Sequence, residues 1–168
     1  MSKAIEAAIR LESWKKARRL IRGALRREPG SHWLITRLGL TYYEEHAYRT
    51  SLSYSRRALK LAPKCPLALW DHAGSLQMLG RHRMALRIYR QILSRGVEEI
   101  AYGHCGEGRP WARGLVADCL YRQAHSYKEL KEPKAAINSY RMHLRMRGPG
   151  CKSIYAVRTV RKELSELT

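Results

Sequence analysis

The sequence predicts an all-α protein, a solenoid of about four stacked helix pairs that ends in a C-terminal capping helix. The first observation is a period: Pro29 and Pro63 are 34 residues apart, and each follows an Ala-Leu pair. The second is a ladder of small and large apolar residues with the same period. A fixed period between about 20 and 50 residues indicates a repeat array, and 34 residues accommodate two helices with their turns. The ladder consists of Ala17, Ser51 and Ala85, and of Leu20, Tyr54 and Ile88.

The first helix pair is predicted at residues 1–31. Its second helix is clear, because Ile21 and Ala24 recur at helical spacing before Pro29. Its first helix, near residues 2–11, has a weaker pattern. Terminal repeats of an array are usually atypical, so this weakness is consistent with a first repeat.

The clearest motif lies in the second pair, predicted at residues 32–65. Its first half carries Leu-Gly followed by Tyr, and its second half carries a small residue, an aromatic residue and a terminal Pro. The pattern resembles a tetratricopeptide repeat, in which small residues let the two helices approach closely and Pro ends the second helix. The matching residues are Leu38, Gly39, Tyr42, Ser51, Tyr54, Ala58 and Pro63.

The third and fourth pairs follow the same plan at residues 66–96 and 114–147. In the third pair, Pro66 suits the first turn of a helix, and Gly80 suits the turn between the helices. The fourth pair is recognised because three residues of the third recur after 51 positions, one period of 34 plus 17. The recurring sets are Ala85, Tyr89 and Leu93, and Ala136, Tyr140 and Leu144.

The 17 extra residues predict an insertion at residues 97–113, which contains the sequence GHCGEGRP. Three glycines and a proline within 103–110 indicate a turn or loop there and not a helix. The first helix of the fourth pair is expected to run from Trp111 to Leu130. After the sequence RGPGC, residues 152–167 predict the capping helix, because their apolar residues recur at helical spacing.

The four cysteines form no C-x-x-C pair, and free thiols are expected. His104 and Cys105 raise the hypothesis of a zinc site with Cys119 or Cys151, but the spacing is irregular and no metal site is predicted. A thiol nucleophile beside a base is still less favoured, because adjacent residues seldom point at each other.

The charge balance is strongly basic, with 33 Lys and Arg against 14 Asp and Glu and a formal net charge of +19. Such an excess favours anionic partners, and solvated helix faces account for it equally well. No apolar run approaches the roughly 20 residues of a membrane span, and the N-terminus lacks a signal-peptide pattern. A cytoplasmic location is therefore expected.

The resemblance covers about residues 1–147 and implies a right-handed solenoid whose first helices line a concave groove for a peptide or partner segment. Aromatic residues and Arg are the usual anchors of interfaces. The alternative is that these aromatic rings pack between helices. The groove positions that the repeat register implies are Trp33, Arg37, Leu40, Tyr43, Trp70, Asp71, Tyr121, Arg122 and His125.

The second helices carry basic residues at two repeated positions, seven residues and hence two helical turns apart. Stacking of the repeats would align them into a basic stripe on the convex side, for phosphates or an acidic protein. A solvated outer face is the alternative, and base stacking is poorly supported because no aromatics are interleaved. The basic stripe comprises Lys15, Arg22, Arg49, Arg56, Arg83, Arg90, Lys134 and Arg141.

The sequence is therefore interpreted as that of a protein-interaction scaffold, not an enzyme, with no cofactor. Its expected partner is a protein or peptide, and the charge suits an acidic one. One alternative is a binder of nucleic acid or another anionic surface through the basic stripe. Another is a secretion-type chaperone of similar length and repeat number.

Overall fold

The computed structural model describes residues 2–168, and in this range the chain forms ten α-helices and no strand. The four predicted pairs correspond to α1–α2, α3–α4, α5–α6 and α8–α9, while α7 lies in the predicted insertion. The helices are α1 Ser2–Arg10, α2 Trp14–Leu25, α3 His32–Glu44, α4 Tyr48–Leu61, α5 Pro66–Met78, α6 His82–Leu93, α7 Gly96–Tyr102, α8 Arg109–Glu129, α9 Pro133–Met146 and α10 Val157–Ser165.

The chain divides into two compact units, one through Leu79 and one from Gly80 to Thr168. The first unit contains α1 to α5 and the second contains α6 to α10. The boundary lies inside the third predicted repeat, which contributes one helix to each unit. The single domain of residues 1–168 remains a prediction.

In the first unit, each helix packs on the next, and α3 also packs on α5. The tetratricopeptide-like motif explains how closely α3 and α4 approach. A Cβ added at Gly39 would lie 3.1 Å from Cβ of Tyr54 and 3.6 Å from the carbonyl oxygen of Ser51, so the glycine lets the backbone of α4 come close. Tyr54 in turn stacks on Tyr42 with ring centroids 5.4 Å apart. The Ser31 side chain accepts a hydrogen bond from the Leu34 amide and caps α3.

In the second unit, the 21-residue α8 packs against α6, α7 and α9. Helix α8 begins at Arg109, not at Trp111 as predicted, because Pro110 is tolerated in the first turn of a helix. The preceding residues 103–108 are non-helical, as predicted. Helix α7 was not predicted; Glu98 and Glu99 in its first turn favour it through the helix dipole.

The predicted capping helix at 152–167 is shorter in the structure. Helix α10 covers Val157–Ser165, and residues 152–156 before it are not helical. The physical reason is that the backbone there bonds to other elements: the amide of Lys152 donates to the carbonyl of Pro110, and the amide of Ile154 donates to Asp118.

Candidate protein-interaction faces

In the first unit, Arg37 is the predicted groove residue with the clearest contacts. Its Nε lies 2.7 Å from Oε1 of Glu6 on α1, and its guanidinium lies 5.5 Å from the centre of the Trp33 ring. The Arg37 side chain is 17% exposed. The sequence placed Arg37 and Trp33 on one face; the structure adds that Glu6 holds the guanidinium there.

The other predicted groove residues of the first unit lie on α3 and α5 and are half-buried. They are Leu40, Tyr43, Trp70 and Asp71. The Tyr43 ring meets Tyr48 edge to face at 5.3 Å. Next to Asp71, His72 bonds through Nδ1 to Oγ of Ser55 at 2.9 Å. Burial lowers the pKa of His72 to about 4, so this imidazole is neutral near pH 7.

In the second unit, the predicted groove position Tyr121 is buried, with 9% exposure. It is covered by Tyr155, whose ring stacks on it with centroids 3.8 Å apart. The neighbouring Arg122 donates from Nε to the Tyr155 hydroxyl at 2.6 Å. Tyr155 belongs to residues 152–168, named here the C-terminal segment. Two predicted groove residues therefore contact a segment of the same chain.

Glu163, on α10, anchors the helical part of this segment. It accepts hydrogen bonds from the hydroxyls of Tyr121, at 2.7 Å, and Tyr140. Burial raises the pKa of Glu163, but the hydrogen bonds from Tyr140 and Tyr121 outweigh it and the net pKa lies below the usual value. The nearby charges of His125 and Lys128 act in the same direction. Glu163 is therefore a carboxylate near neutral pH.

Asp118 anchors the extended part of the segment. The hydroxyl of Ser153 donates to Oδ1 of Asp118, and the amide of Ile154 donates to Oδ2 at 3.3 Å. Burial raises the pKa of Asp118 to about 6, although both hydrogen bonds oppose that shift. One turn earlier, a Cβ on Gly114 would lie 2.4 Å from the carbonyl oxygen of Lys152, so the glycine permits the close approach.

Asp118, Tyr155 and Glu163 are not among the predicted site residues, because the sequence of residues 152–167 indicates only a capping helix. One signal was available. Gly114 lies within a helix, where glycine costs roughly 1 kcal/mol relative to alanine. Such a glycine often marks a position where another backbone comes close.

All eight residues of the predicted basic stripe are exposed. Two of them are held by tyrosines within their own unit: Arg22 donates to the Tyr42 hydroxyl at 2.8 Å, and Arg90 to the Tyr127 hydroxyl at 2.7 Å. The helices that carry the eight residues, α2, α4, α6 and α9, contain no Asp or Glu. None of these four helices therefore carries an acidic residue that could neutralise its own Lys and Arg residues.

The four cysteines are free thiols. Cys119 is fully buried in α8, and burial raises the pKa of its thiol well above the usual value. A buried thiol with a raised pKa is unreactive. Among residues 2–168, no helix combines the length and hydropathy that a membrane crossing requires.

No family model and no curated protein matches this chain by sequence. Solved structures do match. MamA from Desulfovibrio magneticus RS-1, residue 41 to the end, is 12% identical with a TM-score of 0.68, over 99% of this chain and 90% of that one. A second MamA crystal structure is 14% identical with a TM-score of 0.63, over 98% and 84% of the two chains. Identity this low shows the fold alone. The chain therefore has the all-α helical-repeat fold of tetratricopeptide-type proteins, as the sequence predicts.

Proposed function

We propose that this protein is an interaction scaffold that binds a segment of a partner protein on the faces of its first helices. The helical-repeat fold supports this proposal, because stacked helix pairs present extended surfaces for partners. The observation that carries it is the docking of the C-terminal segment on α8. That face already holds a peptide of this chain, part extended and part helical.

The contacts on α8 are of the kinds that hold a peptide. Asp118 accepts from a backbone amide and a side-chain hydroxyl, Tyr121 stacks on an aromatic ring, and the Tyr121 hydroxyl binds a carboxylate. Backbone hydrogen bonds supply affinity, while side-chain contacts supply specificity. A partner segment with an aromatic residue and a following acidic residue fits the same positions.

On the first unit, the corresponding face offers half-buried aromatic rings at Trp33, Tyr43 and Trp70, together with the guanidinium of Arg37. Partly exposed aromatics beside Arg are the residue types that dominate binding energy at interfaces. A partner that binds here would place an apolar residue among these rings, and a carboxylate beside it would share the Arg37 guanidinium with Glu6.

The first test uses capture from cell lysate by wild-type protein and by the variant Trp70→Ala with Arg37→Glu. We expect wild type to retain a discrete protein through nuclease treatment and high salt, and the variant to lose it while keeping its helical circular dichroism. Equal capture by the two proteins would rule out the first-unit face.

The α8 face is tested with a synthetic peptide of residues 152–168 added to full-length protein. In the variant Tyr155→Ala with Glu163→Gln, the attached segment is weakened, so the added peptide should bind. It should not bind wild type, whose face is occupied. A control peptide with the same two substitutions should bind neither protein. Absence of binding to the variant would contradict a peptide-binding α8.

A second candidate is binding to nucleic acid or another anionic surface through the basic second helices. The observation in its favour is that α2, α4, α6 and α9 contain no carboxylate and expose all eight stripe residues. Reversal to Glu of Lys15, Arg49, Arg83 and Lys134 tests it without disturbing the tyrosine contacts of Arg22 and Arg90. If this variant retained an oligonucleotide at low salt as well as wild type does, the basic stripe would be excluded as the binding surface.

A further inference from the structure

An apolar cavity opens between α6 and α9 of the second unit, and residues of α8 other than the predicted groove residues form part of its wall. Its volume is about 340 Å³, within the range of ligand-binding clefts. None of its six lining residues is acidic or aromatic. They are Leu93 from α6, Val116 and Leu120 from α8, and Met142, Arg145 and Met146 from α9.

The side chains at the cavity mouth are flexible and can adapt to the apolar surface of a partner. Met142 is 42% exposed, and Met146 is half-buried beside it. Methionine is flexible and polarizable and is common at binding surfaces that adapt to a partner. The amide of Asn138 lies 3.8 Å from Sδ of Met142 and orients that thioether.

The charges on the two helices that flank the cavity, α6 and α9, have one sign. Helices α6 and α9 together carry six exposed Lys and Arg residues and no Asp or Glu. Arg145 lines the cavity itself, and Arg141 lies one helical turn before it. A neutral or basic partner would leave these charges uncompensated, whereas an acidic partner complements them.

We propose that this cavity is a docking site for an acidic amphipathic helix of a partner protein. Apolar residues of the helix, one turn apart, enter the cavity against Met142 and Met146. Carboxylates beside them pair with Arg145 and Arg141. This is the helix-in-groove mode of recognition. The site is independent of the first-helix faces described above.

A nucleic acid fits the cavity less well. Bases bind single-strand sites by stacking on aromatic rings. The nearest tyrosines on the two flanking helices, Tyr89 and Tyr140, are fully buried and offer no ring to a base. The basic helices attract a phosphate backbone, but the apolar cavity contributes nothing to that attraction.

The probe is a fluorescent synthetic helix of about 18 residues, roughly five turns, with Leu along one face and Glu on the flanks. Binding is measured to the full-length protein by anisotropy. A scrambled peptide of the same composition, with Leu distributed around the helix, reports attraction due to charge alone. A third peptide with Gln in place of Glu reports the apolar contribution alone.

Met142→Glu places a charge at the cavity mouth and should weaken the acidic probe about tenfold or more, as a hot-spot substitution does. The matched control is Met84→Glu on α6, because Met84 is equally exposed, at 46% against 42%, and does not line the cavity. It should change affinity less than about twofold, a loss typical of residues outside a hot spot.

Arg145→Glu should weaken binding of the acidic probe but not binding of the peptide with Gln in place of Glu. Arg83→Glu makes the same change in net charge and should have a smaller effect on binding of the acidic probe. Wild-type affinity in Met142→Glu would overturn the proposal. Equal affinity for the scrambled peptide and the acidic probe would also overturn it. A third contradicting result would be an oligonucleotide that fully displaces the acidic probe and whose own affinity is unchanged by Met142→Glu. All four substituted residues are exposed, so all four variants are expected to keep the wild-type circular dichroism.

Discussion

The ring of Tyr155 stacks on the ring of Tyr121 at 3.8 Å, although the two residues belong to different elements of the second unit. This contact holds the start of the C-terminal segment against α8, and Glu163 holds the helix that follows. The segment is therefore a bound peptide whose removal or weakening has measurable consequences.

Tyr155→Ala should loosen the C-terminal segment. The substitution removes a stacked aromatic pair, worth about 0.5–1.5 kcal/mol beyond the buried area, and the hydrogen bond from Arg122. We expect faster amide hydrogen exchange in residues 152–165 and little change in α7. Tyr155→Phe is the control, because it keeps the ring and removes only the hydroxyl, at a cost of about 1 kcal/mol. Unchanged exchange in the alanine variant would contradict the docking.

Gly114→Ala should destabilise the second unit by about 1–3 kcal/mol, as overpacking does. The new Cβ would lie 2.4 Å from the carbonyl oxygen of Lys152, which must move away. Gly23→Ala in α2 is the matched control, because its Cβ meets only a side-chain atom of Arg26 at 3.7 Å. That variant should gain about 0.5–1 kcal/mol from helix propensity. Urea denaturation measures both, and a stabilised Gly114→Ala would contradict the close approach.

Asp118→Asn should change how stability depends on pH. The pKa of Asp118 is raised in the folded chain to about 6, so the folded state binds an extra proton between pH about 4 and 6. The contribution of Asp118 to stability is complete below that window and is lost as the pH rises through 6. The free energy of unfolding of the variant relative to wild type should therefore increase between pH 4.5 and 7.5, by on the order of 1 kcal/mol.

Urea denaturation of both proteins at the two pH values measures this difference. Titration of the other groups is common to the two proteins and cancels in the comparison. Parallel pH profiles for Asp118→Asn and wild type would show that the carboxyl has an ordinary pKa.

Arg37→Glu should destabilise the packing of α1, because it places two carboxylates side by side at Glu6. The expected loss is about 1 kcal/mol, since the pair is only partly buried. Glu6→Arg combined with Arg37→Glu restores an ion pair of reversed polarity and should recover most of the stability. Thermal unfolding measures both variants. If capture of a partner depends on Arg37, it stays lost in the double variant, which separates binding from folding.

The period of 34 residues was sufficient to predict the helix pairs, because each helix buries residues three and four positions apart and this pattern is local. Gly39 and Tyr54, read from the same motif, do contact each other. Helix α7 was missed, because a seven-residue helix contains too few turns for a periodic signal. The bounds of α8 and α10 were misplaced by a few residues for other reasons. Helix α8 begins earlier because Pro110 is tolerated in its first turn, and α10 begins later because residues 152–154 bond to α8.

The sequence by itself determined the all-α repeat fold and the exposed basic positions of the second helices, while the groove on the first helices stays a prediction. Only the tertiary structure decided that residues 152–168 lie along α8 and that α6 and α9 leave an apolar cavity between them. The reason is the range of the contacts. Tyr121 and Glu163 are 42 residues apart, and Asp118 and Ser153 are 35 apart. Such pairings depend on the complete packing and leave no periodic trace in the sequence.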